Sequence, residues 1–215
     1  MTHSLHREGT IDSLEQDYVL FIFPARGFNY AGSAPKVRRL MEFVYQTGPC
    51  NALVSSLRRN MYSGVSPDEI LNSIVDGTRA YAVFNSKEKI KEILLRIQKA
   101  DEGISIIVSG LIDRIRKITE EMGLDPHTIN ISLGILGNTA ILPPADIRQL
   151  TTMCGHGMVS PNLVRDVIRK IKTHKTNPWQ GSLTLASPCI CGIVNPHRSA
   201  QLLKDTAPLY TVKRL

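Results

Sequence analysis

The chain has 215 residues, of which 42% are apolar and 21% are charged, and its net charge is +7. This apolar share supports a packed core and excludes a disordered or collagen-like chain. No apolar run approaches the roughly 20 residues that span a bilayer, and the first residues lack the apolar core of a secretory signal. We therefore expect a soluble, cytoplasmic protein of one large or two small domains, without a membrane partner.

The first two thirds of the chain predict alternating strands and helices. Residues 1–16 are predicted to be a polar tail without periodicity. The pattern then predicts, in chain order, a strand at 18–23, helices at 34–46, 51–61 and 67–77, a strand at 79–84, a helix at 87–100, a strand at 104–108, a helix at 110–122 and a strand at 128–135. Such alternation is typical of an α/β fold, so we expect a central, mostly parallel sheet with flanking helices.

After Gly137 the sequence becomes richer in loops and loses its strand patterns. Helices are predicted near 145–153, 161–173, 178–186 and 199–205. We expect a sheet domain over residues 17–138, followed by a helical, loop-rich segment over 139–215 that carries most of the cysteines. This C-terminal segment is expected to pack on the sheet domain and not to fold independently.

Four cysteines are present, and three of them lie in the last third of the chain: Cys154, Cys189 and Cys191. Each of these three lies in a segment rich in glycine or proline, outside the periodic apolar faces of the predicted helices. In a reducing compartment, clustered cysteines favour metal binding or thiol chemistry over disulfides. The alternative is that the cysteines simply fill space in the core, where free cysteine is common.

These three cysteines offer three thiolates, and three further side chains are candidate ligands: His156, His197 and Cys50. Three or four thiolates suit zinc or an iron–sulfur cluster, because both prefer sulfur ligands. The sequence therefore predicts a metal- or iron–sulfur-binding protein. Its expected role is redox chemistry, or the assembly or activation of another metalloenzyme, with that metalloenzyme or a redox protein as partner.

A second interpretation needs no metal. The segment Met153–Gly157 is similar to the segment around one catalytic cysteine of the proline racemase family, and Ser187–Cys189 resembles the turn that holds the second. In that family a thiol acts as acid or base on a substrate α-carbon, and backbone amides hold the carboxylate. The resemblance covers a small part of the chain. It implies that Cys154 and Cys189 are the acid and base of an isomerase or lyase acting on a small carboxylate.

A third interpretation is a non-catalytic adaptor that docks an acidic partner through one basic helix. The basic residues of that helix are Arg165, Arg169, Lys170 and Lys172. No aromatic residue lies between them, which disfavours a base-stacking surface for nucleic acid. The sequence is also compatible with a homo-oligomer.

Overall fold

A computed structural model describes residues 4–212 of the chain. In chain order its main elements are α1 (Ile11–Leu14), β1 (Tyr18–Phe23), α2 (Ser33–Thr47), β2 (Asn51–Val54), α3 (Pro67–Asn72), β3 (Ala80–Phe84), α4 (Lys87–Ala100), β4 (Ser105–Ser109), α5 (Ile112–Glu121), α6 (Ala145–Thr151), α7 (Pro161–Lys172), α8 (Pro178–Ala186) and α9 (Pro196–Thr206). Short 3₁₀ turns lie at Thr139–Ile141 and Ala207–Leu209. None of the helices in this range has the length and apolar character needed to cross a membrane.

The four strands form one sheet in the order β2-β3-β1-β4, and all neighbouring strands are antiparallel. The expected mostly parallel sheet is therefore wrong. The two strands of each strand–helix–strand unit, β1 with β2 and β3 with β4, do run in the same direction. However, a strand of the other unit lies between them, which is the split β-α-β connectivity of ferredoxin-like sheets. The sequence pattern indicated the order of elements but not which strands are neighbours.

The predicted helix at 51–61 is also wrong. Residues Asn51–Val54 form β2, which pairs with β3 from Asn51 opposite Val83 to Val54 opposite Ala80. All four residues are buried, and the chain then continues through turns and loops. A short apolar run does not distinguish a buried strand from a buried helix by periodicity alone.

The predicted strand at 128–135 is not present either. This segment forms neither helix nor strand, and the alternating apolar side chains Ile131 and Leu133 are 65% and 83% exposed. By contrast, the helices predicted at 87–100 and 178–186 are confirmed at both ends. Ser86 caps the first of them by accepting a hydrogen bond from the backbone N–H of Lys89.

Alternate residues of β1 face opposite sides of the sheet, and each side is covered by helices. Tyr18, Leu20 and Ile22 belong to an apolar cluster that includes the inward faces of α2 and α4. Val19 and Phe21 belong to a second cluster that includes residues of α6, α7, α8 and α9. The sheet is thus the middle layer, and the C-terminal helical segment shares a core with it.

Candidate thiolate centre

The three C-terminal cysteines lie where the C-terminal helices meet the sheet. Cys154 follows α6, while Cys189 and Cys191 lie in the loop between α8 and α9. All three are buried in the same apolar cluster as Phe21 and Leu53 of the sheet. The fold therefore brings together two cysteine-bearing loops that are separated in sequence.

The backbone of the first loop donates hydrogen bonds to the sulfur of its own cysteine, Cys154. The backbone N–H groups of His156 and Met158 donate hydrogen bonds to the sulfur of Cys154. The donors are thus the second and fourth residues after the cysteine. Gly157 lies between them with φ +69°, a backbone conformation that glycine adopts without strain.

The second loop repeats this arrangement. The sulfur of Cys189 accepts hydrogen bonds from the N–H groups of Cys191 and Ile193, again the second and fourth residues after the cysteine, and from Val194. Gly192 has φ +63° within this turn. A Cβ atom at that position would lie 2.7 Å from the Cβ of Leu53, so the close approach of the loop to β2 requires glycine.

The two loops face each other in register. Cys154 donates a thiol hydrogen bond to the sulfur of Cys189. Two residues further along each loop, the sulfur of Cys191 lies 3.3 Å from Nδ1 of His156. Four of the six predicted ligands are therefore brought together, as two contacting pairs.

The Cys154–Cys189 contact shifts the two thiols in opposite directions. The hydrogen bond to Cys189 and then burial raise the pKa of Cys154. The hydrogen bond from Cys154 lowers the pKa of Cys189 and the backbone N–H groups add to this, while burial opposes it. Cys189 is therefore the thiol of the pair that loses its proton more readily. The groups that stabilise its thiolate are a neutral thiol and three backbone amides, whose dipoles offset the charge in part.

An arginine from the N-terminal segment ties the two loops together. The guanidinium of Arg7 donates a hydrogen bond of 3.2 Å to the carbonyl of Met153, directly before Cys154. It also donates to the carbonyl of Ile193 in the second loop and pairs with the carboxylate of Asp17. Residues 4–16 are therefore part of the packed structure, whereas the polar sequence of this segment predicted a tail and none of these particular contacts. The one signal that could have suggested this was the acidic Asp17 directly before an apolar strand.

Cys50 belongs to a different environment. Its sulfur accepts a hydrogen bond from the N–H of Asn85, and the hydroxyl of Tyr62 donates to its carbonyl oxygen over 2.6 Å. Burial raises the pKa of the Cys50 thiol to about 11. None of the contacts described for residues 4–212 joins this sulfur to the other three cysteines, so it lies outside the centre.

His197 is likewise separate. Its exposed ring packs against Trp179, with 5.1 Å between ring centroids. Desolvation, and then the charge of Lys89, lower the pKa of His197. The sequence offered His156 and His197 as equivalent candidates, and only the loop geometry distinguishes them.

The basic helix α7 has its own partners. Asp166 pairs with Arg169 and, over 2.8 Å, with Lys170 on the same helix. Lys172 donates to the carbonyl of Ala207 over 3.1 Å. Part of the basic surface suggested for an acidic partner is thus used within the chain.

The donors form pairs and do not converge on a single point. Within residues 4–212, no three histidine, cysteine or acidic side chains are positioned as they stand to hold one metal ion. The sulfur of Cys191 contacts His156, whereas Cys154 and Cys189 contact each other. Neither of two surface cavities, of about 590 and 570 Å³, is lined by a cysteine.

Comparison with other proteins gives no family assignment. No protein-family model matches the chain, and no match is found among curated proteins or solved structures.

Proposed function

We propose that the protein binds a single soft metal ion, zinc, through Cys154, Cys189 and Cys191, with His156 as the fourth ligand. The observation that carries this proposal is the contact between the sulfurs of Cys154 and Cys189, which come from two opposed loops. Four protein ligands make a closed site, which is typical of structural zinc. The proposed role is to hold the metal for structure or for transfer to another metalloenzyme.

The first argument is the burial of charge. Cys189 is only 1% exposed, yet the hydrogen bonds it accepts favour its ionised form. Buried charges in proteins are usually paired with an opposite charge or coordinate a metal. The dipoles of the loop offset the negative charge of the Cys189 thiolate only in part. A cation bound at this sulfur would supply the opposite charge.

The second argument is the spacing of the sulfurs. Two thiolates bound to one zinc ion at about 2.3 Å in tetrahedral geometry lie about 3.8 Å apart, similar to a thiol–thiolate hydrogen bond. In a 4Fe–4S cluster each cysteine binds a different iron, which separates the sulfurs more widely. The contact between Cys154 and Cys189 therefore favours one ion over a 4Fe–4S cluster.

The third argument is the N–H donors around the sulfurs. Groups that hydrogen-bond to metal ligands orient those ligands and tune the properties of the metal. Backbone amides are suited to this role where the ligand is a thiolate. Cys154 and Cys189 each accept at least two such bonds from their own loops. Binding would displace the proton of Cys154, and Cys191 and His156 would have to turn from each other toward the pair.

The test is metal analysis of full-length protein purified anaerobically without chelator from cells supplied with zinc and iron. We expect about one zinc per chain and no colour. The variants C154S, C189S and C191S should lose the metal, and H156A should bind it more weakly. The matched controls C50S and H197A alter the predicted ligands that the fold places elsewhere, and both should retain the metal.

Three results would contradict the proposal. The first is protein without metal, and the second is equal loss of zinc in C50S and C189S. The third is brown protein with several iron atoms per chain, which would indicate that the same cysteines bind an iron–sulfur cluster and not zinc.

The same sulfur contact supports a second candidate, a dithiol–disulfide couple. Cys154 and Cys189 would lose two protons and two electrons to a small disulfide, which would leave as two thiols. Titration of free thiols after incubation with oxidised glutathione separates the candidates. In the metal-free protein this couple predicts loss of two thiols that is abolished in C154S and in C189S and retained in C50S and C191S. Retention of the loss in C154S or C189S would contradict the couple. The acid–base isomerase stays a prediction. Such a reaction also requires space for a substrate between the sulfurs of Cys154 and Cys189.

A further inference from the structure

The larger of the two surface cavities, of about 590 Å³, lies between the N-terminal segment and the chain around α6. One wall is formed by residues that precede α1, and the other by the chain between α5 and α6 and by α6 itself. The walls meet where Nδ1 of His6 lies 3.3 Å from the hydroxyl of Ser132 and where Arg148 pairs with Glu8 over 2.9 Å. The volume lies in the range of cavities that bind small molecules.

The charges around this cavity are not balanced. Arg7 lines the cavity and shares the carboxylate of Asp17 with Arg198, and these three side chains are at most 6% exposed. Arg148 and Glu8, which also line the cavity, form a separate ion pair. Within residues 4–212, three guanidinium groups are therefore paired with only two carboxylates. One positive charge of this network has no opposite charge of its own.

Arg7 also has a hydrogen-bond donor that is not used. Its Nη atoms donate to Asp17 and to the carbonyls of Met153 and Ile193. Its Nε, in contrast, is buried and has no acceptor in the part of the chain that the structure describes. Buried charges are usually paired, and a buried donor without an acceptor is costly. An anion in the cavity would bring a negative charge and oxygen atoms close to this guanidinium.

The remaining lining indicates the class of anion. Leu5, Ile135 and Leu142 contribute apolar side chains to the walls. Such walls suit the hydrocarbon part of an organic ligand better than the water shell of an inorganic ion. One unbalanced positive charge also matches a monoanion better than a doubly charged phosphate. A carboxylate is a monoanion whose planar geometry matches that of a guanidinium.

We propose that the cavity is a binding site for a small organic monocarboxylate. The carboxylate lies beside Arg7 and Arg148, and the hydrocarbon part lies against the apolar side chains of the walls. Among residues 4–212 no cysteine lines this cavity, so the site is distinct from the thiolate centre. The proposal therefore does not depend on whether that centre binds zinc.

The first test is calorimetric titration of the full-length protein with two probes, hexanoate and phenylacetate. Hexanamide and phenylacetamide have nearly the same shape without the charge, and inorganic phosphate has charge without a hydrocarbon part. We expect at least one carboxylate to bind about 10-fold or more tightly than its amide and than phosphate, because a hydrogen-bonded charge contributes about this much. Absence of binding by both carboxylates, or equal binding of acid and amide, would overturn the proposal. Tighter binding of phosphate would assign the cavity to inorganic anions and would also overturn it.

The second test locates the site with two pairs of variants. S132E places a carboxylate in the cavity, whereas L133E places it on the next residue, which is 83% exposed and does not line the cavity. R148M removes a cavity guanidinium, and R116M removes an exposed arginine of α5. Binding of the carboxylate probe should weaken about 10-fold or more in S132E and R148M and stay unchanged in L133E and R116M. Equal affinities within each pair would show that the probe binds elsewhere and would overturn the proposal.

Discussion

Nη1 of Arg198 donates a hydrogen bond of 2.8 Å to Oδ2 of Asp17, and both side chains are almost completely buried. The same carboxylate pairs with Arg7, so that one negative charge serves two guanidinium groups. Arg198 also donates from Nε to the hydroxyl of Ser13 over 2.9 Å. This ion network joins the N-terminal segment, the start of β1 and the start of α9, next to the thiolate centre.

Replacing Asp17 by asparagine should destabilise the protein strongly. The substitution leaves two buried guanidinium groups without their carboxylate, and removal of one partner of a buried ion pair costs about 3–5 kcal/mol. The free energy of unfolding in urea measures the effect. The control is E121Q, which removes partly exposed ion pairs with Lys87 and Lys91 and should destabilise the protein far less. Equal losses in the two variants would show that the network has no special importance.

Replacing Arg7 by lysine should loosen the two cysteine loops without removing the positive charge. A lysine cannot donate in a fixed geometry to the carbonyls of Met153 and Ile193 and to Asp17 at once. We expect zinc affinity to fall by about 10- to 100-fold, as for other groups that position metal ligands. Competition with a chromophoric chelator measures this.

The matched control for that experiment is R148K. Arg148 binds Glu8 and the carbonyl of Pro143, and it has no described contact with either cysteine loop. The zinc affinity of the R148K variant should therefore be unchanged. An unaltered affinity in R7K would mean that the loops hold their geometry without the arginine.

Replacing Gly192 by alanine should be more harmful than replacing Gly157. Both glycines have positive φ, but a Cβ at Gly192 would lie 2.7 Å from Leu53, whereas nothing lies within 4 Å of a Cβ at Gly157. The G157A variant measures the conformational cost alone, on the order of 1 kcal/mol. G192A should exceed it by about 1–3 kcal/mol because β2 or the loop must shift. Unfolding free energies of the two variants test this, and equal values would mean that the loop yields freely.

The stability of the protein should depend on Asp76 in acid. Its two carboxylate oxygens accept hydrogen bonds of 2.8 Å from the N–H groups of Gly32 and Ala34 at the start of α2. These bonds lower the pKa of Asp76 below its usual value of 3.8. Since the folded-state pKa is the lower one, the contribution is complete above the unfolded-state pKa and is lost as the pH falls through the folded-state value.

The variant D76N isolates this contribution. Below about pH 4 its unfolding free energy should change less with pH than that of the wild type. Thermal or urea unfolding at several pH values provides the comparison. Parallel curves for the two proteins would show that Asp76 does not contribute to the acid dependence.

Much of the local structure follows from the sequence, because it depends on neighbouring residues. Ser86 marks the beginning of α4, and Asn177 caps α8 through the N–H of Gln180. The sheet order was not predictable in this way, since it depends on which strand is inserted between β1 and β2. The loop residues around Cys154 and Cys189 were recognisable from their glycines and prolines.

The composition of the thiolate centre was only partly predictable. Sequence spacing could not exclude Cys50 or His197, because their separation from the other cysteines results from the packing of β2 and α9. Arg7 was missed for the same reason. Its partners Met153 and Ile193 contribute carbonyl groups, and every residue has a carbonyl, so no side-chain pattern identifies them.

The contact between Arg7 and Ile193 spans 186 residues of sequence. During synthesis on the ribosome, the segment that carries Arg7 therefore emerges long before either cysteine loop that it contacts. Contacts of such long sequence separation form late in folding, because the loop they close is large. The cysteines of both loops must then remain reduced and unmodified until the chain around residue 193 has folded against the N-terminal segment. Closure of the thiolate centre is thus a late step of folding.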